Sequence, residues 1–206
     1  MLQKGISYDS SIIGLIIVNL IPIFGVLFLN WDLFTILILY WCESAVIGIF
    51  NILKMIFAKS DDKRLKFILI PFFAVHYGIF MFVHLMFILV ITSFSPTLPE
   101  LDFSNIFTAI SQIFLGLVGL FASHGLSFYS NYIQTEEYKK SDASELMFSP
   151  YGRIIVMQFT IIIGTIITAI FGLPKYVILL FIFIKIIVDI KAHKKEHERF
   201  LIKKEL

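Results

Sequence analysis

The stretch FFAVHYGIFMFVHLMFILV, residues 72–90, decides the fold class of this chain. Its residues are almost all apolar, and a helix needs roughly 20 such residues, at about 1.5 Å each, to cross ~30 Å of hydrocarbon. Two imidazoles, those of His76 and His84, interrupt the run. The stretch therefore predicts a membrane-spanning helix with two polar rings inside it.

The composition of the whole chain agrees with this interpretation. Of 206 residues, 58% are hydrophobic and only 16% are charged, and the mean hydropathy is +0.89. One soluble core of this size cannot bury so much apolar surface, so we predict an all-α integral membrane protein. The first apolar run, residues 12–29, is long and leads into more apolar sequence, which favours a retained helix over a cleaved signal. The single cysteine, Cys42, excludes an internal disulfide and a cysteine-based metal site.

Six apolar segments are long enough to span a bilayer, and together they predict one transmembrane domain over residues 1–206. Pro150 and Pro174 precede two of these segments, as expected for a proline ring in a first helical turn. Pro22 lies inside the first segment and predicts a bend of that helix near Val18 to Pro22. The predicted spans are approximately residues 11–29, 33–57, 67–91, 106–132, 151–172 and 175–192.

Lysine and arginine residues set the predicted orientation. When the six spans alternate, one side of the membrane receives nearly all the basic residues, and the other receives only Lys175 beside acidic residues. Because basic loops stay in the cytoplasm, we predict an N-in/C-in, multi-pass protein of the cell membrane. The basic side comprises Lys4, the loop at 59–66, Lys139, Lys140, Arg153 and the tail at 191–204.

Several ionisable or polar side chains lie inside the predicted spans, where hydrocarbon makes them costly unless they have partners. Glu43, in the string LYWCES, and His76 lie near the predicted midplane, whereas His84 lies nearer the outside. The other polar side chains belong to spans four to six. They are Ser123 and His124 in span four, Arg153 and Gln158 in span five, and Lys185, Asp189 and His193 in or just after span six.

Helical spacing indicates which of these side chains can share a site. Asp189 and His193 are four residues apart, so they project from nearly one face, which lets a carboxylate and an imidazole bind one ion. His76 and His84 are eight residues apart, which places them about 80° apart in direction and ~12 Å apart along the axis, too far for one metal. We expect His76 to point into the bundle toward His124 or Asp189. We expect His84 to point elsewhere.

Carboxylates and imidazoles from four helices predict a metal site without sulfur ligands, which suits zinc, iron or manganese. The candidate ligands are His76, His124, Asp189 and His193. Glu43 is the candidate proton acceptor, and Tyr77 and Ser123 are candidates for supporting the ligands or facing a substrate. Simpler roles stay open: Lys185 can neutralise Asp189 four residues away, and His84 can hydrogen-bond between helices.

Five strings in the order LYWCES, FFAVHYGIF, SHGLSF, PYGR and KIIVDIKAH resemble a family of prokaryotic multispan membrane proteins described only as a domain of unknown function. The resemblance covers residues from about 15 to 197. It implies a topology and no established activity. Members of that family often have histidine where this chain has Gln158, so the resemblance implies a hydrogen-bonding role for Gln158 rather than a ligand role.

A looser likeness connects the chain with intramembrane zinc hydrolases of the alkaline ceramidase and adiponectin receptor type. Those proteins also combine serine, histidine and aspartate from several helices, and the likeness implies a hydrolase-like metal site. They have seven spans and a paired-histidine motif on the last, whereas six spans are predicted here and Asp189 with His193 stands in place of that motif.

Three classes of function stay open at this point. A metal held by the candidate ligands would activate water against a lipid-like or small-molecule substrate. The same polar groups would otherwise carry protons or an ion through the bundle. In the third class they only hold helices together, or His76 and His124 ligate a b-type haem. The lipid bilayer is the predicted partner in each class, and no nucleic acid is, since the basic residues line membrane edges.

Overall fold

The computed structural model describes residues 20–59, 63–93 and 103–152, together with 154–155, 158–159, 162–163, 176, 179–180 and 182–187. Every regular element in these ranges is helical. We label the helical residues 20–28 α1 and the helices that follow α2 to α5. These are α2 Leu33–Phe57, α3 Lys63–Ser93, α4 Phe103–Ser127 and, after a π-helical turn at Phe128–Ile133 and a 3-10 turn at Glu137–Lys139, α5 Ala143–Phe148.

α2 is the central helix of the bundle. Its start is capped by Asp32, whose carboxylate accepts a hydrogen bond from the Thr35 amide at 2.8 Å. At its other end the Lys66 ammonium donates to the carbonyls of Ile56 and Ala58, where a cation favours the negative end of the helix. In its most apolar stretch 72% of the residues are buried, against 28% and 22% in α3 and α4. The other helices therefore pack around α2.

α3 runs antiparallel to α2 and contacts it through a stripe of buried residues. The Trp41 indole donates a hydrogen bond to the Met81 carbonyl at 2.8 Å, and the Tyr77 hydroxyl donates to the Ser44 carbonyl at 2.7 Å. Gly48 allows this close approach, because a Cβ atom at Gly48 would overlap the Tyr77 ring. The buried stripe of α3 has the spacing of one helical face. It consists of Phe73, Tyr77, Met81, His84 and Ile88.

α4 runs parallel to α2 along a different face. Near the start of α2, the Thr35 hydroxyl donates to the Gln112 Oε1 atom at 3.3 Å. Further along, the Phe50 ring packs against Phe121 and Phe128, at centroid distances of 5.2 and 6.0 Å. Residue numbers rise in the same direction along both helices, so α2 and α4 point the same way and α3 provides the return between them.

The segment after α4 returns to the bundle and completes its core. The Asn51 side-chain amide donates to the Leu146 carbonyl of α5 at 2.9 Å, and the Tyr132 hydroxyl donates to the Lys54 carbonyl at 2.8 Å. Met147 of α5 is buried in a hydrophobic cluster with residues of α2 and α3. That cluster contains Met55, Phe73, Tyr77, Met81, Met147 and Ile154. α5 is therefore part of the packed core, although its sequence lies in a segment predicted to be a loop.

Three helices are long and apolar enough to cross a membrane, and they correspond to predicted spans two, three and four. α2 has the predicted bounds at both ends. α3 begins before residue 67 and continues through Pro71. α4 with its π-helical turn covers the predicted fourth span. The three candidate spans are Leu33–Phe57, Arg64–Val90 and Phe107–Ile133.

The other three predicted spans are described only in part. α1 contains Pro22, but Val18, where the predicted bend begins, lies outside the described residues. The predicted fifth and sixth spans, 151–172 and 175–192, also fall largely outside them. The longest described stretch of the sixth span, 182–187, is helical and lies against the core around α2.

Gly48→Ala is expected to destabilise the protein, because the new methyl group meets the buried Tyr77 ring between α2 and α3. Overpacking of this kind costs about 1–3 kcal/mol of unfolding free energy. Gly78→Ala is the matched control, since a Cβ atom at Gly78 meets nothing within 4 Å. Unfolding of the purified variants in mixed detergent micelles, followed by circular dichroism, measures both. Equal stability of the two variants would contradict the close contact at Gly48.

Candidate functional site

Glu43 of α2 and Lys185 form an ion pair inside the bundle. The Lys185 ammonium lies 2.9 Å from Oε1 and 2.7 Å from Oε2 of Glu43, so it faces both carboxylate oxygens. The Glu43 and Lys185 side chains are only 11% and 15% exposed. The pair therefore connects the central helix to the predicted sixth span through two charges that are largely removed from solvent.

The ion pair lies beside one aromatic ring and the apolar core around α2. Removing two ions from water is costly, and the cost is recovered only with good geometry and additional favourable contacts. The Lys185 Nζ atom also lies 5.1 Å from the centre of the Tyr40 ring, within cation–π range. Ile182 is buried in the apolar core around α2, and Ile186 packs against the same core. The ion pair is thus held against a largely apolar part of the bundle.

A small cavity adjoins the ion pair. Its volume is about 10 Å³, the space of roughly one water molecule. Polar walls come from Tyr40, Glu43 and Lys185, and the other walls are apolar. The apolar walls are Ile21 and Pro22 of α1, Leu39 of α2, and Gly116 and Leu120 of α4. The cavity accommodates a water or a small ion beside the charges, whereas a lipid chain does not fit.

His76 is exposed on α3, and its predicted approach to Asp189 falls outside the described residues. Its Nδ1 atom is 2.6 Å from the Tyr151 hydroxyl, and the two side chains share a hydrogen bond. Phe72 and Phe80 pack on the imidazole, each at a centroid distance of 5.4 Å. Consecutive helical residues point about 100° apart. Because Tyr77 packs toward α2, the neighbouring His76 faces a different side of α3.

His84 takes the interior position instead. It is 2% exposed and belongs to the stripe of α3 that faces α2. Its Nε2 atom is buried and has no hydrogen-bond partner within the described part of the chain. The two histidines of the opening stretch therefore point to different sides of α3, as their spacing predicts, but the inward one is His84.

The other described candidates lie in separate parts of the structure, and none of them lines the small cavity. Tyr77 is buried, and its hydroxyl bonds to α2. Ser123 is exposed on α4, and the neighbouring His124 is half-buried with its ring stacked on Phe50 at 6.0 Å. Gln158 is half-buried on the predicted fifth span. Of the candidate residues that the structure describes, only Glu43 and Lys185 are brought together at the cavity.

The predicted metal site depends on residues beyond the described ranges. Asp189 and His193, half of the predicted ligand set, lie outside them, as does Arg153. Among the residues that the structure describes, no three His, Cys, Asp or Glu side chains are grouped so that they would hold one ion. The zinc, iron or manganese site therefore stays a prediction from the sequence.

The pairing of Glu43 with Lys185 is absent from the sequence-based predictions, which connect Lys185 to Asp189 along one helix. The sequence nevertheless contains a signal for this pair, which is the depth of each residue within its predicted span. Glu43 and Lys185 each lie ten residues after the first residue of their predicted spans, and those two spans are predicted to cross the membrane in the same direction. Two opposite charges at one depth are natural partners, because hydrocarbon penalises each of them alone.

Comparison with known proteins places the chain with a family and assigns no activity. A family model described as "Family of unknown function (DUF6498)" matches residues 1–205. No curated protein and no solved structure matches the chain. The match confirms the predicted resemblance to a family of unknown function and covers nearly the whole sequence.

Lys185→Met is expected to lower the unfolding free energy by about 3–5 kcal/mol, because it leaves the Glu43 carboxylate buried without its cation. Adding Glu43→Gln should recover most of this loss, since the second substitution removes the unpaired charge. Reversible unfolding of the two single variants and the double variant in mixed micelles completes a double-mutant cycle. Effects of the two substitutions that simply add would contradict a direct ion pair.

Proposed function

Because the chain belongs to the DUF6498 family, whose function is unknown, its own residues must indicate its activity, and we propose that it conducts protons across a membrane. The observation that carries this proposal is the buried Glu43–Lys185 pair beside a cavity of about one water. Ionisable groups in hydrocarbon are costly and commonly mark ion or proton pathways. A cavity of this size suits a proton carried by water better than a lipid-like substrate.

The ion pair can hold a proton on either partner. When a proton passes from the Lys185 ammonium to a Glu43 oxygen 2.7 Å away, an N–H bond breaks, an O–H bond forms, and both groups become neutral. The amine then accepts a proton from water on one side, and the carboxylic acid releases its proton on the other. One proton has moved and the ion pair is restored. The Tyr40 ring favours this restored state, because its π face attracts the ammonium.

Proton conduction requires a protein that crosses the membrane. α2, α3 and α4 are long and apolar enough to cross, and they alternate in direction. The proposal adds three further spans and an N-in/C-in topology in the cell membrane. Its support is the apolar periodicity of the sequence and the basic residues at 59–66 and 139–140. The lipid bilayer is then the partner of the exposed apolar side chains.

Two other functions make different predictions about the purified protein. A metal-dependent membrane enzyme would rest on Asp189 and His193, and it predicts bound zinc, iron or manganese. A purely structural role predicts that the ion pair only holds helices together, with no metal and no proton flux. Proton flux and metal content together therefore distinguish the three functions.

The proposed topology predicts that the segment between α4 and α5 lies in the cytoplasm. Lys140→Cys in a Cys42→Ala chain should react with a membrane-impermeant thiol reagent only after cells are permeabilised, since Lys140 is exposed on that segment. Glu100→Cys, in a predicted outer loop, is the matched control and should react in intact cells. Reaction of the Lys140→Cys chain in intact cells would exclude the N-in/C-in orientation.

Glu43→Gln is expected to reduce proton flux at least about tenfold, because the amide has no proton to exchange with Lys185. Purified protein in liposomes that contain a pH-sensitive dye, with a potassium diffusion potential, gives the rate. Glu136→Gln removes an exposed carboxylate outside the bundle and should leave the rate unchanged. Wild-type flux no greater than that of empty liposomes would exclude proton conduction. Elemental analysis of the same preparation then separates the metal enzyme from the structural role.

A further inference from the structure

A proline lies in the helical path that leads from α5 into the predicted fifth span, and a side chain of α2 meets the helix there. We infer that the described residues from Ala143 to Ile155 belong to one bent helix, and that Asn51 clamps its bend at Pro150. Side-chain hydrogen bonds then set the direction in which the span continues. The clamp rests on contacts between described residues, and only the depth of the helix in a membrane rests on the proposed topology.

The backbone is helical on both sides of Pro150. Ser149, the residue before the proline, has helical dihedral angles of φ −54° and ψ −45°. After the proline, residues 151–152 are helical, and the Ile154 amide donates to the Pro150 carbonyl at 3.4 Å. Pro150 is therefore an interior residue of a helix that begins at Ala143, whereas the sequence predicts it in a first helical turn.

A proline in a helix interior leaves one backbone carbonyl without its usual partner. Pro150 has no amide hydrogen, and its ring crowds the carbonyl four residues earlier, which is that of Leu146. This carbonyl accepts a bond from the Ser149 amide at 3.1 Å, in a tighter turn than the α-helical one, and a second from the Asn51 side-chain amide at 2.9 Å. Asn51 is only 6% exposed, so its amide meets little competition from solvent. α2 therefore supplies the donor that the proline removes.

Tyr151 holds the helix just after the bend. Its hydroxyl lies 2.6 Å from Nδ1 of His76, and its ring packs edge-on against Phe73 and Tyr77, at centroid distances of 6.1 and 5.9 Å. All three partners belong to α3. The helix is thus held by α2 before Pro150 and by α3 after it.

The contacts of this segment lie progressively further from the end of α2. Tyr138 accepts a backbone bond of 2.8 Å from Lys59, just beyond that end. The clamp at Asn51 lies eight residues earlier in α2, about 12 Å along its axis. Tyr151 packs against the α3 tyrosine whose hydroxyl bonds to Ser44, about 10 Å further along. In the proposed topology the fifth span therefore enters the membrane with α5, about eight residues before its predicted start at 151.

A double-mutant cycle tests the clamp. Asn51→Leu should lower the melting temperature in mixed micelles by about 2–4 °C, the shift expected when a protein of this size loses one buried hydrogen bond. In a Pro150→Ala chain, the amide restored at position 150 can bond to the Leu146 carbonyl, so Asn51→Leu should cost less than half as much. Asn131→Leu is the matched control, because its side-chain amide bonds to Ser127 in the same helical segment, and its effect should be equal in both backgrounds.

Equal losses from Asn51→Leu in the two backgrounds would overturn the clamp. If Asn51→Leu alone does not fold, the Pro150→Ala background decides the question. A folded double variant supports the clamp, and a double variant that also fails to fold overturns it.

The distance across the bend provides a second readout. Spin labels on Glu145→Cys and Phe159→Cys, both at exposed positions of a Cys42→Ala chain, report it by double electron–electron resonance. Pro150→Ala should lengthen the mean distance toward that of a straight helix, and Asn51→Leu should broaden the distribution, because the bend is no longer clamped. A wild-type distance equal to that of Pro150→Ala would overturn the bend, and an unbroadened distribution in Asn51→Leu would overturn the clamp. Neither test measures proton flux, so each result holds whether or not the protein conducts protons.

Discussion

The architecture depends on one constraint, which is that a polar group of a helix surrounded by apolar side chains is costly unless it meets a partner. Apolar packing alone selects neighbours weakly in a membrane, because lipid chains are as apolar as leucine. The polar groups of α2 make that selection. The Trp41 indole binds α3, Thr35 binds α4, Asn51 binds α5, and Glu43 binds the predicted sixth span. Each contact fixes which element packs on a given face of α2 and at which position along the helix axis.

The sequence predicts the long helices well, and it does not predict the parts that depend on side-chain contacts. The bounds of α2 follow from apolar length and from Asp32 as a capping residue, both of which are local properties. α5 has only six residues, in a polar segment, so periodicity cannot identify it. It is held by the Leu146 carbonyl and by the burial of Met147, which depend on α2 and α3. Such contacts cannot be predicted from the sequence of α5 alone, because they depend on the positions of α2 and α3.

At the candidate site, too, the sequence predicts local properties but not contacts between helices. α3 is apolar around its whole circumference, so its sequence does not indicate whether His76 or His84 faces inward. Gly48 on α2 has no side chain, so the Tyr77 ring fits against α2, and His76, about 100° away on the helix, then faces a different side of α3. Glu43 is identified from the sequence as a costly charge in need of a partner. Its partner Lys185 follows only when depths in different spans are compared, because spacing along one helix points to Asp189 instead.

The length of chain between the two members of the ion pair has a consequence for biogenesis. Glu43 precedes Lys185 by 142 residues, so on a translating ribosome the acid is made long before its cation exists. Until residue 185 has been made, the Glu43 carboxyl group lacks the cation that it meets in the folded protein. A chain that stops early would leave this acid without its counter-ion and with a weakly held α2. The full set of contacts on α2 is therefore complete only after residue 185 has been made.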